Sequence, residues 1–162
     1  MSNRLIRALI PGALLPFMCV GAYAAGAASH QSPTATRSVL AQVVDPRGAQ
    51  GRTLALSRVR IPARTALALH RHPGHQIAYV ERGTLTYTVR SGVVRVFRGP
   101  ADGRAEVVRR IRPGRTGEVR TGEWVVERPS DVHFGANRRD RPVVILLATL
   151  FTNGSPASIP VG

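Results

Sequence analysis

The stretch His70-Arg71-His72-Pro73-Gly74-His75-Gln76 decides the reading of this chain. Side chains alternate along a strand, so His70 and His72 share one face with their Cα atoms about 7 Å apart. Two imidazoles at that spacing converge on one ion. Ala66 and Ala68 have the same parity and leave room in front of the histidines. Pro73-Gly74 bends the chain and lets Gln76 return to the same neighbourhood from the next strand. His75 has the opposite parity to Gln76 and is the weaker candidate for a further ligand. A lone histidine on an apolar face is usually a core residue. His-x-His followed by a turn and a polar side chain reads instead as a candidate metal site.

Outward from this stretch the chain reads as short strands between turns. Thr65 to Leu69 is the first clear strand, and Ile77 to Val80 follows the His72-Pro73-Gly74 turn. Thr84 to Arg90 alternates, with Leu85, Tyr87 and Val89 on one face. Ser91-Gly92 is a two-residue hairpin turn into Val93–Phe97. Glu123 to Glu127 is a further strand, and the apolar run Val143 to Phe151 belongs at the centre of a sheet. Gly99 to Gly117, with five arginines, reads as a solvated loop, and Asn153 to Gly162 as a tail wrapping the surface. No stretch from 39 to 152 has a helical period. Gly and Pro number 16 and 12 in 162 residues, which suits an antiparallel sandwich or barrel.

The stretch 70–83 resembles the first motif of the cupin superfamily, here His70-x-His72-x3-Gln76-x6-Gly83, with Arg64 where that motif has a preceding glycine. The second cupin motif fits by spacing as Gly122-x5-Arg128-x-Ser130-x2-His133-x3-Asn137, with its proline and second glycine replaced. The resemblance implies an all-β, single-domain jelly-roll barrel of antiparallel strands with a metal inside one end. The implied ligands are His70, His72, Gln76 and His133. Position 76 is Glu in the family motif, and a neutral Gln would leave the ion's full charge, favouring an anionic small-molecule ligand. Imidazole and oxygen donors suit Zn, Fe, Ni, Mn or Cu without choosing among them. Asn137 in that motif closes the turn after the histidine strand. Tyr79 and Tyr87 read as barrel-wall residues, and Trp124 as core or rim. Glu127 and Asp131 flank the second motif and either orient a histidine or, for Asp131, cap a turn.

The chain begins with Arg4 and Arg7, an apolar run from Ala8 to Val20, and small residues ending in Ala24-Ala25-Gly26-Ala27-Ala28. This is the order of a secretory signal peptide over 1–28. The apolar run is too short and proline-broken for a stable membrane span. A flexible lead-in over 29–38 and a cupin domain over 39–162 complete the expected organisation. Cys19 is the only cysteine, so a cleaved chain has no thiol chemistry. All 23 basic residues are Arg, and the net charge of +14 becomes +12 without the signal, from 21 arginines against 9 acids. Pure Arg usage reads as base-composition bias, and export to the periplasm or beyond argues against a nucleic-acid partner. No Ser-His-Asp set, phosphate loop or Cys/His zinc knuckle is present, and no catalytic acid or base can be named. The expectation is a periplasmic or secreted metal-dependent enzyme of oxygenase, lyase or isomerase type, with a homodimer as the assembly considered. The alternative is a non-catalytic carrier or sensor, with or without metal in the barrel.

Overall fold

The computed structural model describes residues 34–100, 102 and 104–162. The expected signal over 1–28 and residues 29–33 of the lead-in lie outside them.

Twelve strands run in chain order: β1 Thr36–Val44, β2 Arg52–Ile61, β3 His70–Arg71, β4 His75–Arg82, β5 Thr84–Ser91, β6 Val94–Arg98, β7 Glu106–Ile111, β8 Thr116–Arg120, β9 Glu123–Glu127, β10 Val132–Ala136, β11 Val143–Thr152 and β12 Ile159–Pro160. They form two antiparallel sheets. The larger has the order β1-β2-β11-β4-β9-β6-β7, the smaller β12-β3-β10-β5-β8. This is the double-sheet arrangement of a jelly roll. No helix among the described residues is long and apolar enough to cross a membrane.

Alternation sets which residues face inward. In β5, Leu85, Tyr87 and Val89 are buried while the threonines between them are half-buried. In β4, Gln76, Ala78 and Val80 point in, and His75, Ile77 and Tyr79 point out. Tyr79 is therefore on the outer face and not, as its sequence position suggested, a wall of the interior. β11 lies between β2 and β4, central as its apolar run predicts. Val143, Ile145 and Leu147 join Ile61, Val80 and Val125 in the core.

Several sequence expectations are corrected. The lead-in does not extend to 38, because β1 begins at Thr36. Thr65–Leu69 is not a strand; it contributes one isolated bridge, Ala66 to Ala136, and the first strands are β1 and β2. Gly99–Gly117 is not a loop, since it contains β7, paired with β6, and the start of β8. The tail does not merely wrap the surface: β12 pairs with β3 and extends the smaller sheet.

Backbone at the motif glycines explains their placement. Gly83 and Gly122 have φ of 87° and 81°, the left-handed conformation that glycine adopts without steric cost. Arg64, standing where the cupin motif has glycine, keeps that conformation with φ 56°. Its guanidinium pairs with Asp140 at 2.6 Å across the turn that follows β10.

Candidate metal centre

The site is assembled from both sheets. His70 on β3 and His133 on β10 are direct antiparallel partners in the smaller sheet. Tyr87 on β5 lies beside them, its ring stacked on His133 with centroids 4.9 Å apart. From the larger sheet come Gln76 on β4 and Glu127 on β9, paired across the ladder. His72 sits in the turn between β3 and β4. The seven residues from His70 through Gln76 therefore cross from one sheet to the other, which is the use of the Pro73-Gly74 bend. Gly74 is needed there, since a Cβ would stand 2.2 Å from the Leu150 carbonyl oxygen.

One ring nitrogen from each of His70, His72 and His133 lies within 4.8 Å of the others, and the three could hold a metal ion. Their ring centroids are 4.7 to 5.2 Å apart. Two of the rings are oriented from behind. His70 Nδ1 donates to the Ala68 carbonyl at 2.7 Å, and His72 Nδ1 donates to the Ala157 carbonyl at 2.9 Å. A carbonyl only accepts, so each Nδ1 carries the proton and each Nε2 presents its lone pair. Burial, the largest influence, lowers the pKa of both His70 and His133, which favours neutral imidazoles. Neutral rings with converging lone pairs are the form that binds a metal.

Gln76 and Glu127 complete the inner surface. Both are buried, as are His72 and His133. Glu127 Oε2 stands 3.2 Å from His72 Nε2, and Oε1 stands 3.3 Å from His133 Nε2. Tyr87 donates its hydroxyl to Glu127 Oε1 at 2.8 Å, and the Gln76 amide donates to Oε2. Burial alone would push the Glu127 carboxyl up. In acid, where the histidines take up protons, the charge of His133, the contact with His72 and the Tyr87 hydroxyl outweigh it and hold the group down to about 2. Burial, then the adjacent Glu127, pushes the Tyr87 hydroxyl well above 10, so it stays a phenol.

These residues form the floor of a cavity of about 330 Å³, within the range of small-molecule sites. Its walls are apolar, with Leu67, Ala78, Leu85, Ile145 and Leu147, and Arg37 of β1 supplies a cation. Arg37 is half-buried and no carboxylate among the described residues pairs with it. Leu67 and Ala68 line the space in front of the histidines; Ala66, expected beside Ala68, is exposed and does not.

His70, His72, Gln76 and His133 are thus brought together, and His75 is exposed on the opposite face of β4. Asp131 caps the Arg128–Asp131 turn by accepting from the Arg128 amide at 2.9 Å. Asn137 is structural: its amide donates to the carbonyls of Ile61, Pro62 and Arg141. Trp124 is a rim residue, stacked on Phe97 and donating to the Gly99 carbonyl. Glu127, expected to orient a histidine, instead touches two histidine nitrogens directly. One contributor escaped the sequence reading. Ala157 orients His72 from the tail, and nothing in the sequence marks it.

No protein-family model matches this sequence, and no curated protein does. Solved structures do. A cupin 2 domain-containing protein from Halorhodospira halophila is 13% identical over 83% of this chain and 76% of its own, with a TM-score of 0.50. An oxalate decarboxylase is 20% identical over 81% of this chain, with a TM-score of 0.51. This chain spans 29% of that protein's length. The fold is that of the cupins.

Proposed function

We propose that this chain is an exported, metal-dependent enzyme acting on a small molecule with an apolar body and one anionic group. The observation that carries this reading is the convergence of His70, His72 and His133 at the floor of an otherwise apolar cavity. An apolar core has no use for three imidazoles that converge on one point. The ion is a divalent transition metal, and Zn, Fe, Ni, Mn and Cu all accept such donors. When bound it would act as a Lewis acid on a ligand oxygen. The anionic preference cannot rest on an uncharged ligand shell, because Glu127 places a carboxylate beside the histidines. It rests instead on Arg37, which faces the same cavity without a carboxylate partner among the described residues. The reaction class is oxygenase, lyase or isomerase.

The test is metal analysis of protein purified from the periplasm or medium, with mass spectrometry of any small molecule it carries. Near-stoichiometric transition metal, and turnover of a monocarboxylate that weakens in Arg37→Ala, would support the reading. Metal with a ligand always recovered unchanged would favour a carrier or sensor. Absence of both metal and ligand would overturn the proposal. Export predicts a mature start between Ala25 and Ser29, and intact Met1 on periplasmic or secreted material would exclude a cleaved signal.

A further inference from the structure

Glu127 is a buried carboxylate whose two oxygens each stand against a different histidine nitrogen, at 3.2 Å from His72 Nε2 and 3.3 Å from His133 Nε2. His72 Nδ1 holds its proton on the Ala157 carbonyl, so its Nε2 offers a lone pair and not a hydrogen. A lone pair and a carboxylate oxygen both accept, so their close approach needs a shared donor or a shared cation; the Gln76 NH2 touches both, and a metal ion would bind both. The spacing matches that role. Two donors each about 2.1 Å from a shared ion stand about 3.0 Å apart when octahedral and about 3.4 Å apart when tetrahedral.

Gln76 presents the wrong atom for ligation. Its amide nitrogen lies against both Glu127 Oε2 and His72 Nε2, the latter at 3.2 Å. Both of these neighbours are acceptors, so hydrogen bonding requires the NH2 group to face them. Turning the amide over would set its oxygen against a carboxylate and a lone pair. Its Oε1 is buried without a partner. An amide N–H carries no lone pair for a metal. Gln76 and Glu127 are direct cross-strand partners on β4 and β9, so a carboxylate at either position reaches the same space.

We infer that Glu127 supplies the oxygen ligand of the metal centre, its carboxylate clamped by the Gln76 amide and the Tyr87 hydroxyl, in place of an acidic residue at position 76. The ligand set is then His70, His72, His133 and Glu127, three nitrogens and one oxygen. The inference rests on the metal-binding reading above and concerns which side chain completes it. Gln76 is a positioning residue: it holds one carboxylate oxygen while Tyr87 holds the other.

The experiment is a competitive chelator titration of the demetallated full chain with Zn2+, on the wild type, Glu127→Gln, Gln76→Ala and the exchange variant Gln76→Glu/Glu127→Gln. Loss of a ligating carboxylate should weaken Zn2+ by about 100-fold or more in Glu127→Gln, while loss of an orienting partner in Gln76→Ala should cost about 10-fold. The exchange variant should recover most of the affinity, because it moves the carboxylate to the paired strand. A second measurement needs no variant. The infrared difference spectrum of the wild type on Zn2+ binding should show shifted carboxylate bands; a shift in the amide carbonyl alone would make Gln76 the ligand and overturn the inference. Equal Zn2+ affinity in the wild type and Glu127→Gln would overturn it as well, leaving the metal reading intact. Failure of the wild type to bind any of the candidate metals would overturn both.

Discussion

Each side chain at the site is held by another group that fixes which atom faces inward. Tyr87 is the clearest example among the orienting residues, because its hydroxyl donates to Glu127 Oε1 at 2.8 Å. Tyr87→Phe keeps the ring stacked on His133 and removes one hydroxyl. We expect the fold to persist and metal affinity to fall about 10-fold, the effect of losing an orienting hydrogen bond, as read by chelator competition. Protons compete with metal at the same nitrogens. His70 and His133 have folded pKa values below the ordinary 6.5, mainly from burial. Below pH 6.5 the unfolded chain takes up protons that the folded chain resists, so stability falls as pH drops from there. Glu127 adds to the same trend lower down. Its depressed pKa contributes stability above the ordinary 4.5, which is lost as pH falls towards about 2. A melting series of the demetallated chain from pH 8 to 3 should decline first below 6.5 and again below 4.5. A melting temperature independent of pH between 7 and 5 would mean the histidines are not buried neutral.

Two elements outside the histidine strands determine whether those strands are presented correctly. Asn137, 1% exposed, ends β10 by donating to three carbonyls while its Oδ1 accepts from the Arg139 amide at 3.0 Å. Asn137→Ala strands those carbonyls and should cost about 1–3 kcal/mol in urea denaturation. The tail supplies β12 and the Ala157 carbonyl that fixes His72. Ending the chain after Asn153 should weaken metal by about 10- to 100-fold while most of the core persists. Unchanged affinity would show that His72 is oriented without the tail. These cases also mark how far the sequence could be read. Motif spacing located His70, His72, Gln76 and His133, and strict alternation located the inward face of β5, because both signals are local. β2 was missed because its pattern runs against its burial. Leu54 and Leu56 point outward, while Thr53, Ala55 and Ser57 point in. β7 was hidden by arginines on a partly exposed strand. Glu127 and Ala157 depend on pairings between residues 51 and 85 positions apart, and alternation says nothing about partners at that distance.

At the scale of the molecule, the proposed ligands are divided between layers. His70 and His133 belong to the smaller sheet, Glu127 belongs to the larger, and His72 lies on the connection between them. A shared ion would therefore add a link between two sheets already joined by side-chain packing and the Tyr87–Glu127 hydrogen bond. Without the ion, the buried Glu127 carboxylate relies on the Tyr87 hydroxyl, the Gln76 amide and the adjacent His72 and His133 rings. Metal bound only to the folded state raises stability by RT ln(1 + [L]/Kd), about 2.7 kcal/mol at a hundredfold excess over Kd. For a chain of this size that corresponds to a rise in melting temperature of roughly 5–12 °C. The wild type, stripped with chelator and refilled with Zn2+ or Mn2+, should show this rise as a single transition shifted upward. Glu127→Gln should show a much smaller rise, since its three histidines no longer tie in the larger sheet. His75→Ala should match the wild type, because that ring is exposed on the outer face of β4. A full rise in Glu127→Gln would place the ion on the smaller sheet and the connecting turn only. No rise in the wild type with any candidate metal would mean that the three imidazoles face one another for another reason.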